Sequence, residues 1–260
     1  MKSLELAEMC GIHAGDGYLR NDGKRIELDI SGSLEEKIYY DNHVIPLFSR
    51  TFGIQIKGKF FNSRNTYGFV IRNEAVVNKM HKIGFPYGKK SLIVKIPEFI
   101  LQSNNQNIKK SFLRGLLDTD GCITFDRRYT NNYNQDKRTF HYYPRLTLST
   151  VSENLSVNLE SILKDLNLTH WTQKYNSKKV NENKKTIFWF VGKNFEKWME
   201  LIGSKNPIKH SRFEIWKKYG FCPPNTKYEQ RINILNNKLN PKSLYGPVAQ
   251  SDRALDLSAN

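Results

Sequence analysis

The sequence predicts an α+β fold, a pseudo-two-fold tandem repeat of two αββαββα units, on three observations. Two well-separated stretches close on the same signature: Met9-Cys10-Gly11-Ile12-His13-Ala14-Gly15-Asp16-Gly17 and Leu113-Arg114-Gly115-Leu116-Leu117-Asp118-Thr119-Asp120-Gly121. Each is a helix-like apolar run with a glycine inside it that ends on Asp-Gly and passes into a strand-like segment. The order of elements after the two signatures is the same. A helix in each half also stops at a matching Ile-Gly pair, Ile83-Gly84 and Ile202-Gly203, with Pro86 and Pro207 beyond.

In the first unit, the signature helix leads into Tyr18-Leu19-Arg20, a turn at Asn21-Asp22-Gly23-Lys24, and Arg25-Ile26-Glu27-Leu28-Asp29-Ile30. Asn-Asp-Gly between alternating segments is a hairpin signal. Residues 34–52 carry helical periodicity, with Leu34, Ile38, Ile45, Phe48 and Phe52 as expected core positions. A second hairpin spans 53–61 and 66–72 through Asn62-Ser63-Arg64-Asn65, and a helix over 73–83 follows. In the second unit the first hairpin is 122–128 with 141–149, around a longer polar loop; a helix covers 153–166. The second hairpin is 171–178 with 186–191, and a helix covers 195–202. The expected domains are a first repeat over 1–94, a linker over 95–110, a second repeat over 111–221 and a loosely ordered tail over 222–260. Lys95-Ile96-Pro97 and the polar run that follows mark the linker; Cys222-Pro223-Pro224-Asn225 opens the tail.

Composition narrows the function. With 260 residues the chain can bury a sizeable core. Its 41 Lys+Arg against 25 Asp+Glu give a formal charge of +16, which attracts polyanions. The basic residues are spread along the chain and form no single amphipathic helix, so a membrane surface is not the expected partner. Cys10, Cys122 and Cys222 are far apart and odd in number, giving neither a disulfide framework nor a zinc spacing. Cys10 and Cys122, in or beside the signatures, are expected to be small buried side chains. The chain lacks an apolar run of spanning length and a signal-peptide pattern at its start, so an intracellular setting is expected, with cytoplasm and organelle both open. Gly-rich phosphate loops, Ser-His-Asp arrangements and His/Cys metal clusters are missing from the sequence, which leaves other enzyme classes little support.

The signatures carry chemistry. Ala7, Gly11 and Gly15 are spaced by four, as are Ser111, Gly115 and Thr119, so each helix presents a strip of small side chains. Two such strips let helices pack backbone to backbone. Parallel packing brings Asp16 and Asp120 out side by side. Adjacent carboxylates repel unless a cation lies between them. Oxygen-only ligands suit Mg²⁺, which activates water and stabilises the leaving oxygen of a phosphodiester. The expected metal set is Asp16 and Asp120, with Gly15 and Thr119 beside them.

The segment Phe112-Leu113-Arg114-Gly115-Leu116-Leu117-Asp118-Thr119-Asp120-Gly121 resembles the motif of the LAGLIDADG homing endonucleases, and the first segment is a more divergent copy. The resemblance covers roughly residues 4–220 and is to the single-chain, two-motif members. It implies a monomeric pseudo-dimer in which two curved antiparallel sheets form a DNA-binding saddle and the motif helices meet at the interface. It also implies that Asp16 and Asp120 hold divalent metal: Mg²⁺, with Mn²⁺ able to substitute and Ca²⁺ supporting binding without cleavage. Gly11 and Gly115 are implied at the helix contact. The earlier acidic position of the motif is Asp118 in the second copy but Ala14 in the first. The family places a basic residue near the end of the last strand of each repeat, which points to Arg72 and Lys193 as further catalytic candidates.

Strand-borne cations suit a sheet lying in the major groove. The DNA-contact candidates are Arg20, Lys24, Arg25, Gln55, Lys57, Lys59 and Arg64 in the first half, with Arg127, Arg128, Lys137, Arg138, Lys174, Lys178 and Lys179 in the second. Most are expected to touch phosphate and a minority to read bases. His13, inside the first signature helix, is expected to pack rather than to act as a base, and Phe188-Trp189-Phe190 to belong to the core. The implied activity is staggered cleavage of a long, nearly asymmetric double-stranded DNA site across the minor groove, leaving short 3′ overhangs, as in intron homing. The alternatives are an intron-RNA-binding maturase and a DNA-binding regulator that lost the chemistry; retention of both aspartates speaks against the latter. Met1 and Asn260 bring no splice-junction chemistry, so an intein is not expected.

Overall fold

Helix-favouring residues from Leu4 to Met9 carry the chain into α1 (Lys2–Asp16), which gives way directly to β1 (Gly17–Asn21). The computed structural model describes residues 2–127, 141–176 and 183–244. Asp22 makes the first turn: its Oδ1 accepts from the backbone N–H of Lys24 (3.1 Å) and Arg25 (2.8 Å), and Gly23 takes φ +79°. β2 (Ile26–Ser33) returns antiparallel to β1, with Tyr18 opposite Asp29 and Arg20 opposite Glu27.

Residues 34–52 are helical throughout but not uniformly. A 3-10 turn leads into α2 (Lys37–Tyr39), a π turn (Tyr40–Val44) and α3 (Ile45–Phe52). This corrects the expected core. Leu34 and Ile38 are exposed, whereas Tyr39, Tyr40, Val44, Leu47 and Phe48 are buried. The extra residue in the π turn rotates the buried face, so the two tyrosines point inward.

β3 (Lys59–Phe61) and β4 (Thr66–Ile71) complete a sheet of order β1-β2-β4-β3, followed by α4 (Glu74–Ile83). Asn73 caps α4 by accepting from Val76 N, and Gly84 ends it at φ +123°. The expected linker contains α5 (Glu98–Leu101). α6 (Gln106–Asp120) starts ahead of the small-residue strip, because the Asn105 side chain caps it.

The second half repeats the plan with β5 (Cys122–Asp126), β6 (Tyr143–Thr150), α7 (Glu153–Asp165), β7 (Trp171–Tyr175), β8 (Lys185–Val191) and α8 (Lys193–Leu201). Its sheet order, β5-β6-β8-β7, is the order of the first sheet shifted by four strands. α9 (Pro207–Tyr219) follows, and α10 (Tyr228–Leu235) and a 3-10 turn (Pro241–Leu244) lie in the segment expected to be a loose tail. Buried Arg231 donates there from Nε to Ser211 Oγ (3.0 Å), which accounts for the order.

Strand alternation sorts the side chains. Leu19, Leu28, Ile30 and Phe69 are buried on one face of the first sheet, and Leu146, Leu148, Phe188 and Phe190 on one face of the second. Trp189 points the other way, under the Arg145 guanidinium at 4.6 Å, so the aromatic run is core only at its two phenylalanines. Cys10 is buried as expected; Cys122 is exposed, because it opens an outward position of β5. The chain forms two compact units. One comprises Met1–Ile123 and Arg145–His210 and holds both motif helices; the other comprises Thr124–Pro144 and Ser211–Asn260.

Candidate active site

α1 and α6 approach at backbone distance. A Cβ added to Gly11 would lie 2.1 Å from Phe112 O, and one added to Gly115 would lie 2.3 Å from Glu8 O. A Cβ on Gly15 would lie 2.1 Å from Thr119 Oγ1 and 3.2 Å from Asp120 Cγ. The contacts advance together along both helices, so the helices run parallel and Asp16 and Asp120 emerge at one end. Ala7 and Ser111 are buried at the other end of the strips. Nearby, Arg114 grips Glu8 through Nε (3.1 Å) and Nη2 (2.5 Å), and His43 Nε2 lies 2.7 Å from Glu8 Oε1. Burial would raise the Glu8 carboxyl, but the hydrogen bonds from His43 and Arg114 outweigh it and hold it at about 2.

At the shared end, burial pushes the Asp16 carboxyl up to about 7; Tyr40, which donates to Asp16 Oδ2 at 2.7 Å, opposes the rise, and the charges of Glu36 and Asp120 add to it. Desolvation also raises Asp120, against the pull of Lys90 and Lys209. The π turn is what aims Tyr40 at Asp16.

Two lysines complete the site. Lys90 Nζ donates to Gly15 O (2.7 Å). Lys209 Nζ donates to Leu117 O (2.8 Å), Asp118 O (2.9 Å) and Thr119 O (2.7 Å). Each ammonium thus caps the carbonyl end of a motif helix, where the helix dipole favours a cation. Burial lowers both lysine pKa values, while the aspartate charges counter it. Neither lysine is among the candidates expected from the sequence, although their placement repeats: Lys90 stands six residues after Gly84, and Lys209 six after Gly203. The carbonyls of Gly15 and Thr119 are therefore at the site, but each is engaged by a lysine.

Arg72 and Lys193 are placed elsewhere. Arg72, its side chain 75% exposed, reaches only Glu27 (3.5 Å) among the described residues, and Lys193 is an exposed first residue of α8.

The Asp118/Ala14 asymmetry has a structural consequence. Asp118 is fully buried and accepts from Ser204 Oγ and from Lys205 N (2.8 Å); burial raises its carboxyl to about 6 against those bonds. Asn206 Nδ2 donates to Asp118 O (2.8 Å) and Glu36 Oε1 (2.7 Å), while its Oδ1 caps Ile208 N (3.0 Å). Asp118 and Asn206 together fix the loop that delivers Lys209. His13 is buried, its ring edge-on to Phe85 at 4.5 Å and neither nitrogen hydrogen-bonded; burial lowers it to about 3, so it packs as a neutral ring.

The DNA-contact candidates of the first half lie on the outer side of the first sheet and its turns. Arg20 pairs with Asp22 (Nη2 2.6 Å), and Arg64 Nη1 with Asp29 Oδ2 (2.6 Å). Lys24 and Arg25 are exposed at the first turn, and Gln55, Lys57 and Lys59 are exposed at alternate positions leading into β3. In the second half Arg127 is exposed, but Lys174 is not on the outward face: it shares the helix-facing side of β7 with Thr172, which pairs with the buried Phe188 and donates to Glu160, while Trp171, Gln173 and Tyr175 take the outer side. Arg128, Lys137, Arg138, Lys178 and Lys179 lie outside the described residues.

Among known proteins, no protein-family profile matches the chain. The ATP-dependent DNA helicase Hel308 of Thermococcus kodakarensis is 24% identical over 224 residues; the match takes in 84% of this chain but only 18% of the helicase. A mesophilic variant of the homing endonuclease I-DmoI superposes with a TM-score of 0.52 at 16% identity, over 78% of this chain and 96% of its own. I-DmoI in complex with DNA and Mn gives 0.52 at 15% identity, over 78% and 98%. The I-LtrWI LAGLIDADG homing endonuclease bound to target DNA gives 0.54 at 12% identity, over 92% and 99%. The chain has the two-motif LAGLIDADG homing endonuclease fold.

Proposed function

We propose that the chain is a divalent-metal-dependent, site-specific endonuclease of double-stranded DNA. The observation that carries this reading is the pairing of Asp16 and Asp120 at the end of a backbone-packed helix pair, with Lys90 and Lys209 held against the same helix ends. The donor set fits Mg²⁺ or Mn²⁺: two neighbouring carboxylates, both raised by burial against the pull of nearby lysines, are hard oxygen ligands of the kind these ions take alongside water and phosphate oxygens. Asp16 and Asp120 would hold the ion, which when bound supplies an activated water and charge neutralisation at a phosphodiester.

The chain's own groups do the rest. Tyr40 fixes the rotamer of Asp16 by donating to Oδ2. Lys90 and Lys209 place positive charge beside the carboxylates, suited to the negative charge that grows on phosphate oxygens during cleavage. The outer sheet faces supply the major-groove contacts, and the carboxylate end faces the minor groove, giving staggered cuts with short 3′ overhangs. The DNA-bound I-DmoI and I-LtrWI structures support duplex DNA as the ligand. A binder alone has no use for two carboxylates next to phosphate, which disfavours the regulator reading.

Asp16→Asn and Asp120→Asn test the assignment. Each is expected to abolish Mg²⁺-dependent cleavage of a selected site while leaving DNA affinity in Ca²⁺ unchanged or tighter, since a negative charge is removed. Full turnover by both variants sinks the assigned centre. Binding of a structured intron RNA without cleavage of any DNA library would replace the reading by the maturase.

A further inference from the structure

We propose that Arg64 reads a guanine in the half-site held by the first repeat, and that Asp29 and Phe61 hold it in the posture for doing so. The proposal rests on the DNA-endonuclease reading and adds to it the base that one part of the first sheet selects.

Arg64 ends the 3-10 turn Asn62–Arg64 between β3 and β4, immediately before Asn65 at φ +53°. It is fixed from two sides. Its Nη1 donates to Asp29 Oδ2 at 2.6 Å, and its guanidinium carbon lies 4.3 Å from the centre of the Phe61 ring. Asp29 is itself anchored, because Ser31 Oγ donates to its Oδ1 at 3.0 Å. Asp29 stands opposite both Tyr18 and Val70 in the ladder, so Arg64 reaches across the outward face of the sheet. Its side chain remains 44% exposed, and Nε and Nη2 make no other hydrogen bond among the described residues.

The neighbouring arginines differ. Arg20 spends both Nε (2.7 Å) and Nη2 (2.6 Å) on Asp22. Arg72 has a single 3.5 Å contact among the described residues, to Glu27. Arg64 alone of the three is both immobilised and left with part of its fork open.

The carboxylate decides what that fork is for. An arginine meant for phosphate gains nothing from an anion 2.6 Å away, because Asp29 would repel the phosphate as well as neutralise the cation. A guanine edge is neutral, and its O6 and N7 accept two parallel N–H bonds from a guanidinium in the major groove. Holding the side chain in advance also reduces the conformational freedom lost on binding.

The experiment selects binding sites from a randomised duplex pool in Ca²⁺ with wild type, Arg64→Ala, Arg64→Lys and Asp29→Asn, all on the full chain. Wild type is expected to enrich guanine at one position that Arg64→Ala leaves unselected, a loss of roughly 5- to 150-fold in preference there with the other positions unchanged. Arg64→Lys should keep the affinity for non-specific duplex but not the guanine. Asp29→Asn should bind non-specific duplex more tightly and select that guanine less. Retention of every base preference by Arg64→Ala overturns the proposal, and uniform weakening across all sequences does so by making Arg64 a phosphate contact. A wild-type pool with no enriched sequence removes the endonuclease reading itself.

Discussion

At the scale of single residues, Asp16 is the group whose protonation should be felt across the molecule. Its carboxyl is raised to about 7 by burial, so between its ordinary range near 4 and pH 7 the folded chain binds a proton that the unfolded chain has released. The contribution to stability is therefore complete below about pH 4 and is lost as pH rises through 7. Other groups run the opposite way: His13, lowered to about 3, and Glu8, lowered to about 2, favour the folded state as pH rises. A difference measurement isolates Asp16. Denaturant unfolding of Asp16→Asn and wild type from pH 4 to 8, without divalent metal, should show the variant gaining on wild type until about pH 7 and level above it. Millimolar Mg²⁺ should shrink the gap by stabilising the ionised wild type. A pH-independent difference would mean that Asp16 is not desolvated. The two aspartates were legible in the sequence because each closes a signature. Lys90 and Lys209 leave only the weak trace of their matching place six residues after Gly84 and Gly203, because a lysine reaches its target along a flexible four-carbon stem, and the side chain that arrives at the last carbonyls of a motif helix need not come from the adjacent strand end.

At the scale of elements, the helix pair is the part of the fold that cannot be adjusted. The point where a Cβ on Gly11 would fall is 2.1 Å from a carbonyl oxygen of the partner helix, and backbone on both sides leaves no rotamer to relieve the clash. Gly11→Ala or Gly115→Ala should destabilise the fold by about 3 kcal/mol, the upper part of the usual range for overpacking. The same separation moves Asp16 away from Asp120, so the rise in melting temperature produced by Mg²⁺ should shrink in these variants and persist in an exposed control such as Lys82→Ala. Spacing by four made these helices readable in advance, since small residues on one face leave a periodic trace. The π turn leaves no such trace. Nothing in Tyr39-Tyr40-Asp41-Asn42-His43-Val44 marks an added residue per turn, and so the exposed Leu34 and Ile38 were expected inside while Tyr40, now on Asp16, went unnoticed. The early start of α6 is the same kind of case: its Asn105 cap competes with several other polar residues in that run for the role.

At the scale of the whole molecule, a formal charge of +16 predicts binding to duplex that weakens steeply with salt, but the charge is not evenly available. Arg20, Arg64 and Arg72 are balanced by Asp22, Asp29 and Glu27. Lys24, Arg25, Lys57 and Lys59 are exposed and carry no ion pair among the described residues, so they are the better phosphate contacts of the first repeat. An unpaired lysine on phosphate releases about 0.9 counterions, whereas an arginine already facing a carboxylate releases fewer on net. Lys57→Ala should therefore weaken binding about equally for the selected site and for random duplex, and should flatten the slope of log K against log salt by about 1. Titrations in Ca²⁺ from 50 to 300 mM KCl measure both quantities. A slope unchanged by Lys57→Ala, or a loss confined to one sequence, would take Lys57 off the phosphate backbone and leave the attraction of the first repeat to Lys24, Arg25 and Lys59.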